Sequence, residues 1–301
     1  MDSAILVVAM GLGWVAPPTG DAPASAPPRL AAPPLAPPRR IITIGPNAAE
    51  IICELGAANR LIAVDRFCVF PPDLATRPRI GGLFDPDLER IAALRPDLIV
   101  VRGRSEAIER LATERGVALY HDETDSLAGV EKCVIDLGRL LAKEREAGAI
   151  VSRFRDRIEA IRARAAGRPR PRVVVIPMRQ PDRLANLLTA GRGTFLDEMI
   201  DIAGGVNVFG YLDMAYPQIS PEAILTRRPD VILEMMPEVN VTPELRARMI
   251  EQWRSLGSIP AVTTARVHFI TDDNALIPSP RYVEIVEKIA RILHPEGDLE
   301  R

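Results

Sequence analysis

Two glutamates occupy the same local sequence in the two halves of the chain. Glu89 opens a run that ends at Ile99 and Glu222 one that ends at Ile232, both fitting E-x5-R-P-D-x-I. A carboxylate in the first turn of a short helix is held outward by its backbone and can pair bidentately with an arginine of another protein. A lone glutamate in such a place reads as an ordinary helix-terminal acid. The duplicated register points instead to two similar lobes, a partner with two-fold character and a cleft between the lobes.

Other chemistries need constellations that this sequence lacks. His121, His268 and His294 are scattered, none three or four residues from another, whereas a directly bound zinc or manganese ion needs convergent His, Asp and Glu. Cys53, Cys68 and Cys133 are odd in number and lack metal-ligand spacing, so they define no disulfide framework. Cys53 lies in an apolar helical run and is expected to be buried. Gly191-Arg192-Gly193-Thr194 precedes an amphipathic helix and has the look of a phosphate cradle. It lacks the rest of G-x-G-x-x-G, and Thr194 with Asp197 fits a helix capping box. No G-x-S-x-G, H-E-x-x-H or C-x-x-C motif occurs, so the chain does not read as an enzyme and offers no catalytic or metal-ligating set. A formal charge of −2 gives no basic field for nucleic acid.

The elements that must hold the glutamates follow from the punctuation. Each copy of the pattern reads as a short helix starting near Asp87 or Ser220 and stopped by a proline that feeds an apolar strand. Around them, Ile41–Ile44, Leu61–Val64, Leu98–Val101 and Val117–Tyr120 read as strands, with a helix from Ala48 to Leu55 ended at Gly56. The second half repeats the scheme with Val173–Ile176, Val231–Leu233 and Val267–Ile270. Strands alternating with helices require crossover connections, hence an α/β fold of two lobes, each with a mainly parallel sheet flanked by helices. At 301 residues the chain is long enough for two such cores.

Lys143 to Ala166 contains no proline, ends at Gly167, and places Ala147, Ile150, Val151, Phe154, Ile158, Ile161 and Ala165 on one face. It reads as a single helix of roughly 36 Å joining the lobes, stiff enough to limit their relative motion and leave a largely preformed cleft. Ahead of the fold, Ala4 to Ala16 is apolar but too short to span a bilayer. It suits a secretory signal with a small-residue site at Ala22-Pro23-Ala24, although no Lys or Arg precedes Arg29. Residues 16–38 hold nine prolines and read as an extended tether. The expected division is therefore 1–38 signal-like segment and tether, 39–142 N-terminal lobe, 143–167 linking helix and 168–301 C-terminal lobe.

Several of these motifs together carry a resemblance. Gly45-Pro46-Asn47-Ala48-Ala49-Glu50, Pro71-Pro72, Gly81-Gly82, Leu88-Glu89 and Arg95-Pro96-Asp97 look like the first lobe of the helical-backbone substrate-binding proteins of ABC importers. These serve cobalamin, ferric siderophores and haem. Gly191–Phe195, Ala203–Phe209, Tyr216–Ser220 and Arg228-Pro229-Asp230 agree in the second half. The match spans about residues 40–295 and is closest to the cobalamin-binding branch through Tyr216-Pro217-Gln218-Ile219-Ser220 and the Phe67–Pro72 segment. The resemblance implies an exported periplasmic protein, monomeric, which captures a cobalamin-like, haem or ferric-siderophore ligand as cargo and carries no cofactor of its own. It also implies that Glu89 and Glu222 dock onto arginines of the two permease subunits in the inner membrane.

Phe67, Phe84, Arg102 and Tyr216, with Met178 and Arg179, are the expected ligand contacts, on loops at the C-terminal ends of strands where open α/β sheets place ligands. Flat faces from Phe67, Phe84 and Tyr216 suit a large planar or macrocyclic ligand; Phe70 has the alternative of packing beside Pro71. Cobalamin-binding family members often carry tryptophan near these places, which this chain does not. A signalling or adaptor protein on the same fold, a metal-cofactor scaffold and an enzyme are the competing readings.

Overall fold

The computed structural model describes residues 36–180, 182–237 and 239–295. The expected signal segment and all but the last residues of the tether lie outside them. The chain divides into two compact units, one of residues 36–124 with Ala128–Val151, the other of Asp125–Leu127 with residues 152–295.

The first unit is built on four parallel strands in the order β2-β1-β3-β4: β1 Ile41–Ile44, β2 Leu61–Val64, β3 Leu98–Arg102 and β4 Ala118–Asp122. β1 and β3, rich in Ile and Val, are buried along their whole length, as strands covered on both faces must be. Alternation splits their side chains. Ile41, Leu98 and Val100 pack with Ile51 and Ile52 of helix α1 (Pro46–Glu54), with Leu55 that caps it, and with Val134 and Leu137 of α4 (Leu127–Leu141). Ile42, Ile44, Ile99 and Val101 pack on the other side with Ile91 of α2 (Leu88–Ala93) and Ile108 of α3 (Glu106–Arg115).

The second unit repeats this topology. β5 (Arg172–Ile176), β7 (Val206–Asn207), β9 (Val231–Met235) and β10 (Val267–Ile270) are parallel in the order β10-β9-β5-β7, and β6 (Leu187–Leu188) pairs antiparallel with β8 (Gln218–Ile219). Helices α6 (Phe195–Ile202), α7 (Pro221–Arg227), α8 (Pro243–Ser255), α9 (Pro260–Thr263) and α10 (Tyr282–Leu293) complete it. Ile176, Phe209, Ile224, Ile232 and Trp253 lie in its core.

The duplicated R-P-D has a common structural use. Arg95 and Arg228 end α2 and α7 with φ of 46° each, turning the chain so that the proline feeds β3 or β9. The next residue, Asp97, accepts the amides of Arg39 and Arg40 at 2.8 and 2.9 Å, and Asp230 accepts that of Arg172 at 2.8 Å. The side chains of Arg40 and Arg172 return to the helix-end carbonyls of Leu94 and Arg227, each at 2.6 Å. Each copy thereby joins the end of one helix to the start of the neighbouring strand and satisfies carbonyls that the helix leaves unpaired.

The expected long helix is continuous as α5 (Glu144–Ala165), 22 residues or about 33 Å. Its predicted face is the buried one, from Ala147 through Ile161. The division between the units falls within it, after Val151. Ala147, Ile150 and Val151 join the core of the first unit, and the Phe154 ring meets the edge of Tyr282 at 5.4 Å and 88° in the second. Gly138 of α4 permits the close approach of α5, because a Cβ there would lie 2.5 Å from that of Ala147.

Candidate functional site

Glu89 and Glu222 occupy equivalent places. Each is the second residue of its helix, behind the N-cap Asp87, whose side chain accepts the Arg90 amide, or Ser220, which accepts the Ala223 amide. Both are exposed, and neither carboxylate has a salt-bridge partner among the described residues. The Glu222 backbone amide, and after it the Ser220 hydroxyl, hold the Glu222 carboxyl below the ordinary glutamate value. Glu222 therefore stays charged at neutral pH, and both side chains face water.

In the first unit the strand ends carry a buried polar layer beneath an apolar loop. Asp65, directly after β2, is 2% exposed. Its Oδ2 accepts the Gly45 amide at 2.6 Å, and its Oδ1 accepts the Phe67 amide at 2.8 Å and the Cys68 thiol at 3.2 Å. Burial pushes the Asp65 carboxyl up to about 6, against the pull of these donors. Phe67 is half-buried with the Arg66 guanidinium 5.9 Å from its ring centroid, while Phe84 and Val69 are about half exposed, at 51% and 56%. Phe84 thus presents its ring to solvent rather than folding it under α2.

Arg102 ends β3, as expected, but its guanidinium is turned inward and donates to the Thr124 carbonyl. Thr124 and Asn47 both donate to the carboxylate of Asp122 at the end of β4. His121 Nδ1 lies 3.0 Å from the Gly103 carbonyl and Nε2 3.7 Å from Glu109. Cys68 and Cys133 are buried, whereas Cys53 is only half-buried, because α1 turns that position toward the edge of the core; burial still pushes its thiol up to about 11.

In the second unit Tyr216 is nearly buried, and its hydroxyl donates to Asp125 Oδ1 at 2.9 Å. Met178 bridges to Leu188, which donates its amide to the Met178 carbonyl at 2.9 Å. Arg179 is committed to the interior: Nε and Nη2 donate to Glu234 at 2.6 and 3.2 Å, Nη1 donates to Gln252 at 2.7 Å, and both charged side chains are 2% exposed or less. Trp253 Nε1 also donates to Glu234. Arg102 and Arg179 thus lie at strand ends where the sequence reading put them, but their guanidinium groups are engaged within the protein. The Gly191–Thr194 loop is a cap: Thr194 Oγ1 accepts the Asp197 amide at 3.2 Å and Asp197 accepts the Gly193 amide at 2.9 Å, which spends a donor that a phosphate would need.

The sequence reading missed three further residues. Asp65 follows its strand without any repeat or motif to single it out. Tyr211 and Met214, at 47% and 64% exposure, lie on the loop between β7 and β8, with the Arg227 guanidinium 4.1 Å from the Tyr211 ring centroid. The only sequence signal was apolar residues inside a loop. Among the described residues no cluster of three or more His, Cys, Asp or Glu is placed to hold a metal ion, and no helix is long and apolar enough to cross a membrane.

The vitamin B12-binding protein of Vibrio cholerae is 27% identical over 257 residues, covering 84% of this chain and 88% of that protein. An ABC transporter substrate-binding lipoprotein of Bacillus subtilis is 24% identical, over 86% of this chain and 81% of its own length. The fold matches the crystal structure of a periplasmic heme-binding protein from Pseudomonas aeruginosa with a TM-score of 0.75 and 24% identity, covering 86% and 94% of the two chains. A family model described as periplasmic binding protein matches residues 41–274, and the chain belongs to that family.

Proposed function

We propose that this protein is the extracytoplasmic binding component of an ABC importer, capturing a cobalamin-like, haem or ferric-siderophore compound and delivering it to a permease dimer in the inner membrane. The observation that carries the reading is the recurrence of an exposed, helix-terminal glutamate in the same register of two units with the same topology. The family consists of transport components rather than enzymes. Residues 1–38 serve export and tethering, and the folded body works as a monomer in the periplasm with 39–142 and 168–301 as its lobes and 143–167 as their link.

Glu89 and Glu222 are the docking residues. Phe67 and Phe84 supply the apolar ligand surface, Val69, Tyr211 and Met214 extend it, and the nearly buried Tyr216 and Met178 back it from below. Arg102 and Arg179 act from beneath, fixing the strand ends from which those loops leave. Exposed aromatic and thioether groups favour a large ligand with a flat, weakly hydrated face.

Titration of the purified protein with cyanocobalamin and with haemin, followed by absorbance and thermal unfolding, tests this. A ligand present at 100 times its Kd stabilises the folded form by about 2.7 kcal/mol, which would raise Tm by about 5 °C or more in a chain of this size. Absence of both a spectral change and a Tm shift with these compounds and with a ferric siderophore would remove the capture reading.

A further inference from the structure

We propose that Asp65 is a positioning residue whose carboxylate, by collecting the Gly45, Phe67 and Cys68 donors, holds the Phe67 loop in its ligand-ready conformation and lets go of it on protonation. The role of Phe67 rests on the function proposed above; the hold on the loop does not. All three groups that reach this side chain are donors, and the two amide contacts, at 2.6 and 2.8 Å, have the short lengths of charge-assisted bonds. An ionised carboxylate offers only acceptors and matches this surround. A protonated one turns one acceptor site into an O–H and loses the charge that strengthens the amide bonds, so the hold on these donors weakens.

The anchors on either side are firm. Gly45 has φ +134°, a conformation that suits glycine, and a Cβ there would lie 2.9 Å from that of Arg102. Arg79 Nη1 donates to the carbonyls of Asp65 and Cys68 at 2.9 and 2.7 Å. A change at Asp65 is therefore taken up by Arg66 and Phe67, which lie between the two carbonyls that Arg79 holds. The charged or titratable groups on the elements around Asp65 include Cys68 and the Arg66–Asp85 pair on its own loop, Arg79 after it, Glu50 of α1, Arg102 of β3 and Asp122 of β4. The Cys68 thiol is pushed well above its ordinary value by burial first and by Asp65 second, so it stays a donor throughout the neutral range. Burial brings the Asp65 carboxyl itself to about 6, within reach of a mildly acidic medium.

Residue-resolved amide exchange by NMR from pH 5 to 8, corrected for the intrinsic rate, tests the hold without any ligand. Protection at Gly45 and Phe67 is expected to rise about tenfold through pH 6 in the wild type, with sheet amides such as Ile99 unaffected. Asp65→Asn, which places an NH2 against the same donors at every pH, is expected to show low, flat protection. A flat wild-type profile, or an unchanged step in Asp65→Asn, overturns the proposal; the wild-type profile decides even if the variant folds poorly. Cyanocobalamin and haemin titrations over the same range add the functional arm. Whichever binds should lose affinity at least about threefold between pH 7.5 and 5.5 in the wild type only. An exchange step without binding of either compound rejects their capture and leaves the hold standing, whereas binding without the step rejects the hold.

Discussion

At the scale of single residues, the strongest structural commitment is the Arg179–Glu234 pair. Both side chains have left water, and the two-point contact is completed by Gln252 and Trp253. Removing one partner of such a pair leaves a buried charge uncompensated and typically costs about 3–5 kcal/mol, whereas replacing both with apolar groups of similar size is often near neutral. Urea unfolding should therefore find Arg179→Met destabilised by about that amount and the double variant with Glu234→Leu largely recovered. Equal losses in single and double variants would show that packing, not charge, decides.

Asp65 gives a second residue-scale expectation. Its folded value of about 6 lies above the ordinary unfolded carboxyl near 3.9. Below about pH 4 both states hold the proton and no penalty exists. As pH rises toward 6 the unfolded chain ionises first, so stability falls, by a total of about 3 kcal/mol, and is level beyond. The ionised group binds its donors more strongly yet has lost its water shell, so local hold and overall stability move in opposite directions. Unfolding free energies of the wild type and Asp65→Asn should diverge between pH 4 and 6, with the wild type losing ground. A constant difference would place the group's titration elsewhere. Glu89 and Glu222 were legible because they recur, while a buried acid that occurs once after a strand looks in sequence like any solvated loop residue.

At the scale of elements, legibility followed length and repetition. α5 was readable almost to its ends because its apolar spacing persists over six turns, and β1 and β10 were readable to the residue because each is a short apolar run between breaks. β6, β7 and β8 were not, because two residues carry no period. The R-P-D repeat was visible, but its use as a strap from helix end to neighbouring strand depends on Arg40 and Arg172, which lie far away in sequence. Gly138 was likewise unremarkable, since only the structure brings α5 against it. Gly138→Val would force its side chain into Ala147 and should destabilise the protein by about 1–3 kcal/mol. The companion change Gly148→Ala, at a helix position where a Cβ meets nothing within 4 Å, should be neutral or slightly stabilising. Equal Tm values for Gly138→Val and wild type would mean that α4 and α5 do not pack as closely as described.

At the scale of the whole molecule, one topology built twice presents one acid per unit. Strand order, helix register, N-cap and the exposed carboxylate all recur, whereas the strand-end surfaces differ, with Phe67, Val69 and Phe84 in one unit and Tyr211 and Met214 in the other. A duplicated feature suits a partner made of two like subunits, and an unduplicated one suits a single asymmetric ligand. Docking and capture should therefore separate by mutation. Glu89→Arg or Glu222→Arg alone should weaken association with the reconstituted permease roughly tenfold or more, because a contact between opposite charges becomes one between like charges. The two together should abolish association. Neither should move the affinity for cyanocobalamin or haemin, and association of the wild type should weaken as salt screens the contact. Transport retained at the wild-type rate by the double variant would detach the paired glutamates from the importer and leave them as helix-terminal acids.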